Sequence, residues 1–224
     1  MGRTEDFTAK AGMRAAGLLY LAIIAFGVTS EGVLRREAID WADGATTARA
    51  LAQGAWQFRL SLGFDLAMAA CDIALAVLFF RMLRGFGETR ALMAMAFRLM
   101  QAALIAAGLM LLYEAEQAAA AGADPLPVLA RHAAQYDLGL FFFGLNALSM
   151  AGLLCRFGVP RWVAGGIAAA GLVYLAGSLT RFLAPEWNAA MQPAYLVPLL
   201  AEAALMLWLL VAPAPRHPAA AARG

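Results

Sequence analysis

FFFGLNALSMAGLLCRFGVPRWVAGGIAAAGLVYLAGSL, residues 141–179, is two apolar runs broken at Gly158-Val159-Pro160. Each run belongs to a stretch of about twenty apolar residues, the length an α-helix needs to cross the hydrocarbon core of a bilayer. Gly and Pro end helices, so the break reads as a turn, and Arg156 and Arg161 bracket it. Two membrane-spanning helices joined by a short turn are the result.

The same pattern recurs along the chain. Helices are expected at roughly 14–34, 58–82, 90–115, 134–156, 161–183 and 193–213, each of spanning length. Turn chemistry separates them at Gly85 and Gly87, at Gly122 to Pro127, and at Pro185. The fold class is therefore all-α: a polytopic membrane bundle of six transmembrane helices. It forms a single domain over 1–212, followed by a Pro/Ala-rich tail, 213–224, expected to be disordered.

Composition agrees. Of 224 residues, 63% are hydrophobic and 14% charged, and the mean hydropathy is +0.70. A soluble domain carries about 25% charged residues. The excess apolar surface needs lipid as its solvent, so membrane lipid is the expected partner. The net charge of +2, with no basic patch interleaved with aromatics, gives no footprint for nucleic acid. Cys71 and Cys155 both lie in apolar stretches without CxxC spacing, and read as free thiols used for packing. The first stretch follows Arg3, Lys10 and Arg14 as a signal peptide would. It is too long and lacks a small-x-small cleavage site, so it is expected to stay as a spanning helix.

Orientation follows from Lys and Arg outside the spans. One side holds Arg3, Lys10, Arg14, Arg81, Arg84, Arg90, Arg156, Arg161, Arg216 and Arg223; the other holds Arg35, Arg36, Arg49, Arg59, Arg131 and Arg181. Ten against six places both termini in the cytoplasm. Trp41, Trp56, Trp162 and Trp187 fall near the expected interfaces. In the long outer loop, 35–57, Asp43-Gly44-Ala45-Thr46-Thr47 reads as the start of a short amphipathic helix, 45–53, lying on the membrane surface.

Ionisable groups inside the spans are the functional clue, because each is costly in lipid. Asp72 lies 14 residues before Phe86 and Arg98 lies 12 after it. Both therefore sit about 18–21 Å from that turn on adjacent antiparallel helices, and should pair. The pair reads either as a structural clamp or as a relay that a ligand or proton opens. Asp65 shares the Asp72 face, and Arg98 can neutralise only one of the two. Glu31 and Arg35 stack below Tyr20 and Gly27 on the first helix. Asp137 points away from the face formed by Gln135, Phe142, Asn146 and Ser149. Gly166, Ala170, Tyr174, Gly177 and Arg181 form one stripe, and Tyr195 and Glu202 another. AGLLYLA at 16–22 echoes AGLVYLA at 170–176, a weak sign of duplication in so biased a composition.

Two readings stay open for the outer half. The charges form scattered structural pairs, such as Glu202 with Arg181. Alternatively Glu31, Asp65, Asp137, Arg181 and Glu202 line an outward-facing cavity for a ligand or ion. Only His132 and His217 are histidines, too few for a zinc centre, and no GxSxG, HExxH or phosphate loop occurs. No metal, no cofactor and no catalytic set is expected, although buried carboxylates could still move protons.

AGLLYL at 16–21, Asp-Gly-Ala-Thr-Thr-Ala at 43–48, Asp-Ile-Ala-Leu-Ala at 72–76, Ala-Phe-Arg-Leu at 96–99, the 141–179 run and AEAALMLWLLV at 201–211 carry a family resemblance over nearly the whole chain. The chain resembles a prokaryotic family of integral membrane proteins, domain of unknown function number 4386. That resemblance implies six helices in a bacterial cytoplasmic (inner) membrane. It supplies no activity and no catalytic residues. Asp72, Arg98 and Glu202 fall within its motifs. Gly44 and the paired threonines depart from the more Ala-rich pattern expected there, which argues against a special role for Thr46 or Thr47. Three functions are weighed: binding a small polar or amphipathic ligand for sensing or transport, an intramembrane enzyme acting on a lipid-like substrate, and a structural or partner-binding subunit.

Overall fold

The computed structural model describes the backbone of residues 2–213 and the side chains of residues 10–213. The expected tail, past Pro213, lies outside the described residues. Helix α1 (Gly2–Thr29) runs into a π-helical turn, Ser30–Arg35. Then follow α2 (Gly44–Gln53), α3 (Ala55–Leu83), α4 (Glu88–Ala120), α5 (Leu126–Phe157) and α6 (Arg161–Leu183). Tight turns from Pro185 to Tyr195 include the one-turn α7 (Asn188–Met191), and α8 (Leu196–Val211) completes the fold. Among the described residues there is no strand.

Six segments are long and apolar enough to cross a membrane: Lys10–Arg35, Ala55–Phe86, Glu88–Ala120, Leu126–Phe157, Arg161–Leu183 and Pro185–Val211. The chain is an integral membrane protein. Helices α4 and α5 outrun the expected ranges 90–115 and 134–156 at one end. Hydropathy marks only the lipid-facing length. Beyond it, Glu114 to Ala120 is rich in strong helix formers, and Pro127 sits in the first turn of α5, where its missing N–H costs nothing. With 33 residues, α4 is about 50 Å long, against about 30 Å of hydrocarbon.

The bundle has two ends. At the hairpin end, α3 turns into α4 through Arg84–Phe86 and Gly87, and α5 turns into α6 at Gly158. Gly158 has φ +111°, a left-handed conformation that closes α5, and Val159 N–H donates to Leu154 O at 2.9 Å. The loop end carries the chain between α1 and α3, the α4–α5 turn and the α6–α8 turns.

Helices α1, α3, α4, α5, α6 and α8 form a closed ring in which each packs on its neighbours in the sequence. Helix α8 sits between α6 and α1 and closes the circle. Small residues permit the tightest contacts. A Cβ placed on Gly144 of α5 would lie 2.8 Å from the Gly171 carbonyl oxygen of α6. On α6, Gly166 abuts Ala201 of α8.

Two apolar cores result. The larger fills the hairpin half, with Leu75, Leu83, Leu153, Leu154, Leu205 and Leu209 all buried. A smaller one at the loop end joins Leu51 of α2 to Phe58, Leu112 and Leu129. Helix α2 thus rests on α3 and α4, with Thr47 and Leu51 buried beneath it. Protruding helix ends offered it an apolar seat. Asp43 caps it by accepting from the Ala45 and Thr46 N–H groups at 2.9 and 3.1 Å.

Candidate functional site

Polar side chains tie neighbouring helices of the ring together. Between α1 and α3, Arg35 pairs with Asp65, and Ser30 Oγ donates to Asp65 Oδ1 at 2.5 Å. Between α3 and α4, Arg98 Nη2 donates to Asp72 Oδ1 at 2.6 Å, and Gln101 Nε2 donates to Asp72 Oδ2 at 3.2 Å. Between α4 and α5, Asn146 Nδ2 donates to Ala94 O at 2.7 Å and Gln135 Nε2 to Leu104 O at 2.9 Å. Between α5 and α6, Arg181 pairs with Asp137. Between α6 and α8, the Tyr174 hydroxyl donates to Glu202 Oε1 at 2.6 Å.

The sixth seam differs. Between α8 and α1, Tyr20 reaches Glu202 across a small cavity, and among the described residues no ion pair joins the two helices. At the hairpin end these helices touch where Gly17 meets Leu210.

The Asp72–Arg98 pair is the most enclosed. Both residues are 1% exposed. The Arg98 guanidinium also lies over three rings, 4.9 Å from the centre of Phe143, 5.3 Å from Tyr20 and 5.9 Å from Phe79. Such faces attract a cation and replace part of its lost hydration. Arg98 Nε and Gln101 Oε1 remain buried without partners.

The ring is hollow toward the loop end. An outer chamber of about 260 Å³ has Glu31, Arg35, His132, Asp137 and Arg181 in its wall. An inner chamber of about 200 Å³ takes wall residues from all six ring helices, including Asp72, Gln101, Phe143, Tyr174 and Glu202. Tyr136, Leu140 and Tyr195 line both chambers, so the two adjoin there. Deeper still, a void of about 10 Å³ beside Tyr20, Arg98 and Glu202 is close to the size of one water. The inner chamber also opens sideways. Val28 of α1 and Leu199 of α8 line it while standing 53% and 44% exposed, so the lateral opening lies between α1 and α8.

Over residues 15–212 the sequence matches the family model described as Domain of unknown function (DUF4386). The chain belongs to this family. No curated protein and no solved structure matches it. In this DUF4386 protein the candidate site therefore has to be read from its own geometry.

That geometry brings Glu31, Asp137 and Arg181 together around the outer chamber and sets Glu202 deeper, in the inner one. Asp65 lines neither chamber, because Arg35, Ser30 and Ser61 enclose it. Arg181 takes Asp137 as its partner, while Glu202 takes Tyr174. The π turn explains the first helix. Its wider turn puts Ser30 and Arg35, five residues apart, on the buried face. The Glu31 side chain is left 65% exposed, 3.3 Å from Arg35.

Three contributors had no sequence signal of their own or only a faint one. Gln101 lies three residues after Arg98, hence on the same helical face. Tyr136 and Ser30 carry nothing that marks them. The AGLLYLA and AGLVYLA echo acquires a meaning: Tyr20 and Tyr174, at its matching positions, both reach Glu202 from the helices flanking α8. Among the described residues, no group of three or more His, Cys, Asp or Glu could hold a metal ion. Cys71 and Cys155 are free thiols. Outside the spans, the Thr46 hydroxyl and backbone N–H groups hold the Asp43 carboxyl below the usual carboxylate range.

Proposed function

We propose that the protein resides in a bacterial cytoplasmic membrane and binds a small polar or amphipathic ligand in the two adjoining chambers, for sensing or transport. One observation carries this reading: two cavities adjoin at Tyr136, Leu140 and Tyr195, an outer one with a charged wall and an inner one built by all six ring helices. Apolar-walled clefts with a few convergent polar groups are the usual form of a ligand site. The arginine distribution puts the loop end outside, so the cavity faces away from the cytoplasm. A purely structural subunit would need no such void, and closing it with side chains would stabilise the bundle.

Within this reading Glu31, Asp137 and Arg181 meet a ligand first, at the mouth. Glu202 meets it last. Asp65 holds Arg35 in the wall. The test is native mass spectrometry of the full chain extracted in mild detergent, comparing the parent with Leu140→Trp, which enlarges a side chain lining both chambers. A discrete small-molecule adduct is expected on the parent. In the variant its affinity should fall about tenfold, the equivalent of 1.4 kcal/mol of lost contact, with folding unchanged. An adduct held equally well by Leu140→Trp would place the ligand elsewhere and sink the proposal.

A further inference from the structure

The inner chamber has a charge imbalance. Asp72 and Arg98 cancel, and Arg98 is committed to that carboxylate and to three aromatic rings. Glu202, 8% exposed, has no cation within ion-pair distance among the described residues. Every other carboxylate buried in the bundle, Asp65, Asp72, Glu116 and Asp137, has an arginine. A lone carboxylate at this depth calls for a proton or a positive partner.

A second observation points to the partner. Gln101 gives its amide N–H to Asp72, a group that only accepts, so its Oε1 must face the other way. That oxygen is buried, has no partner, and belongs to a residue of the same chamber wall. The chamber wall therefore carries a carboxylate and, beneath its accessible surface, an unpartnered amide oxygen that an entering N–H donor would reach by a shift of the Gln101 side chain. Phe143 and Tyr174, with ring centres 5.2 Å apart, and Tyr195, 6.0 Å from Tyr174, add aromatic rings and their π faces to the wall, one Phe143 face being taken by Arg98. Such faces favour a cation. The unsealed seam between Val28 and Leu199 leads from this point into the lipid.

We propose that the inner chamber is a site for an amphipathic primary ammonium ion, its nitrogen held by Glu202 and Gln101 and its alkyl chain leaving between α1 and α8. This rests on the cavity reading and names its ligand class. The headgroup supplies the missing positive charge and the missing N–H. The tail stays in contact with apolar surface throughout, so only the head has to be desolvated.

The test titrates the full chain in zwitterionic-lipid nanodiscs with octylammonium, octyltrimethylammonium and octanol, reading bound adducts by native mass spectrometry. Octylammonium should bind roughly tenfold more tightly than octanol, as a charge-assisted contact would give. The quaternary ion, lacking N–H, should fall between them. Glu202→Gln should erase the advantage over octanol, Gln101→Leu should remove the preference for the primary ion, and Glu114→Gln, at the exposed pair with Arg131, should change neither. Octanol binding as tightly as octylammonium to the parent would overturn the ammonium proposal and leave the cavity reading standing. No adduct with any of the three would likewise overturn the ammonium proposal and leave the cavity reading to its own comparison with Leu140→Trp. The comparison on the parent needs no variant, so it decides even where Glu202→Gln fails to fold.

Discussion

The two halves of this bundle are held by different forces. At the hairpin end, Leu75, Leu83, Leu153, Leu154, Leu205 and Leu209 fill the space between all the helices they come from, each no more than 1% exposed. At the loop end, helices meet through Arg35–Asp65 and Arg181–Asp137 around open chambers. The Asp72–Arg98 layer divides the two regions. In lipid, dispersion and shape hold the packed half together. Polar ties between neighbours can hold a half that stays hollow, because each tie joins only two helices and leaves the centre free. The packed half thus anchors the helices, and the tied half keeps a cavity open.

Removing Arg98 attacks the dividing layer and should have the largest effect. Arg98→Met leaves Asp72 buried and unpaired, and should cost about 3–5 kcal/mol, measured by reversible unfolding in mixed micelles. Asp72→Leu combined with Arg98→Met should recover most of that loss, since a matched apolar pair substitutes well for a buried ion pair. A single Arg98→Met variant within about 1 kcal/mol of the parent would mean that the layer is not held by charge, and the contrast between the halves would dissolve.

Backbone contact is the next place to press. Gly144→Ala drives a methyl group to 2.8 Å from the Gly171 carbonyl oxygen, and α5 and α6 must separate. The expected loss is about 1–3 kcal/mol. Gly165, one residue before the α6–α8 contact at Gly166 and turned away from it, has nothing within 4 Å of an added Cβ, so Gly165→Ala should stay within about 0.5 kcal/mol. Equal losses at both positions would show that general helix perturbation, and not close approach, sets the cost.

The smallest effect is expected at the loop-end surface. Asp43 is held ionised first by the Thr46 hydroxyl, then by backbone N–H groups. Its folded-state pKa lies below its unfolded one. The capping contribution is therefore complete above the ordinary Asp value near about 3.9 and is lost as pH falls through the folded value. Amide exchange in α2 should accelerate below that range in the parent, with this pH dependence absent from Asp43→Asn. Unchanged exchange down to pH 3 in the parent would show that the seat on α3 and α4, rather than the cap, holds α2.

Much of this architecture is written in single segments. Apolar length locates six spans, turn residues locate the breaks, and equal distance from Phe86 brings Asp72 and Arg98 to one depth. All of these follow from the rise of a helix and the thickness of a bilayer, which act on each segment alone. Other features needed the assembled ring. A periodicity assumes one helix geometry, so it could not anticipate the π turn that puts Ser30 in place of Glu31 on the buried face beside Arg35. Partner choice was equally out of reach. Arg181 sits on α6 between α5 and α8 and could meet Asp137 or Glu202; the rotation of α6 against α5, fixed where Gly144 meets Gly171, gave it Asp137. That choice left Glu202 without a cation. The sequence by itself determined that carboxylates would be buried in lipid, because composition and spacing set depth. Only the tertiary structure decided which one kept its charge unanswered, because that depends on which neighbour each helix turns toward.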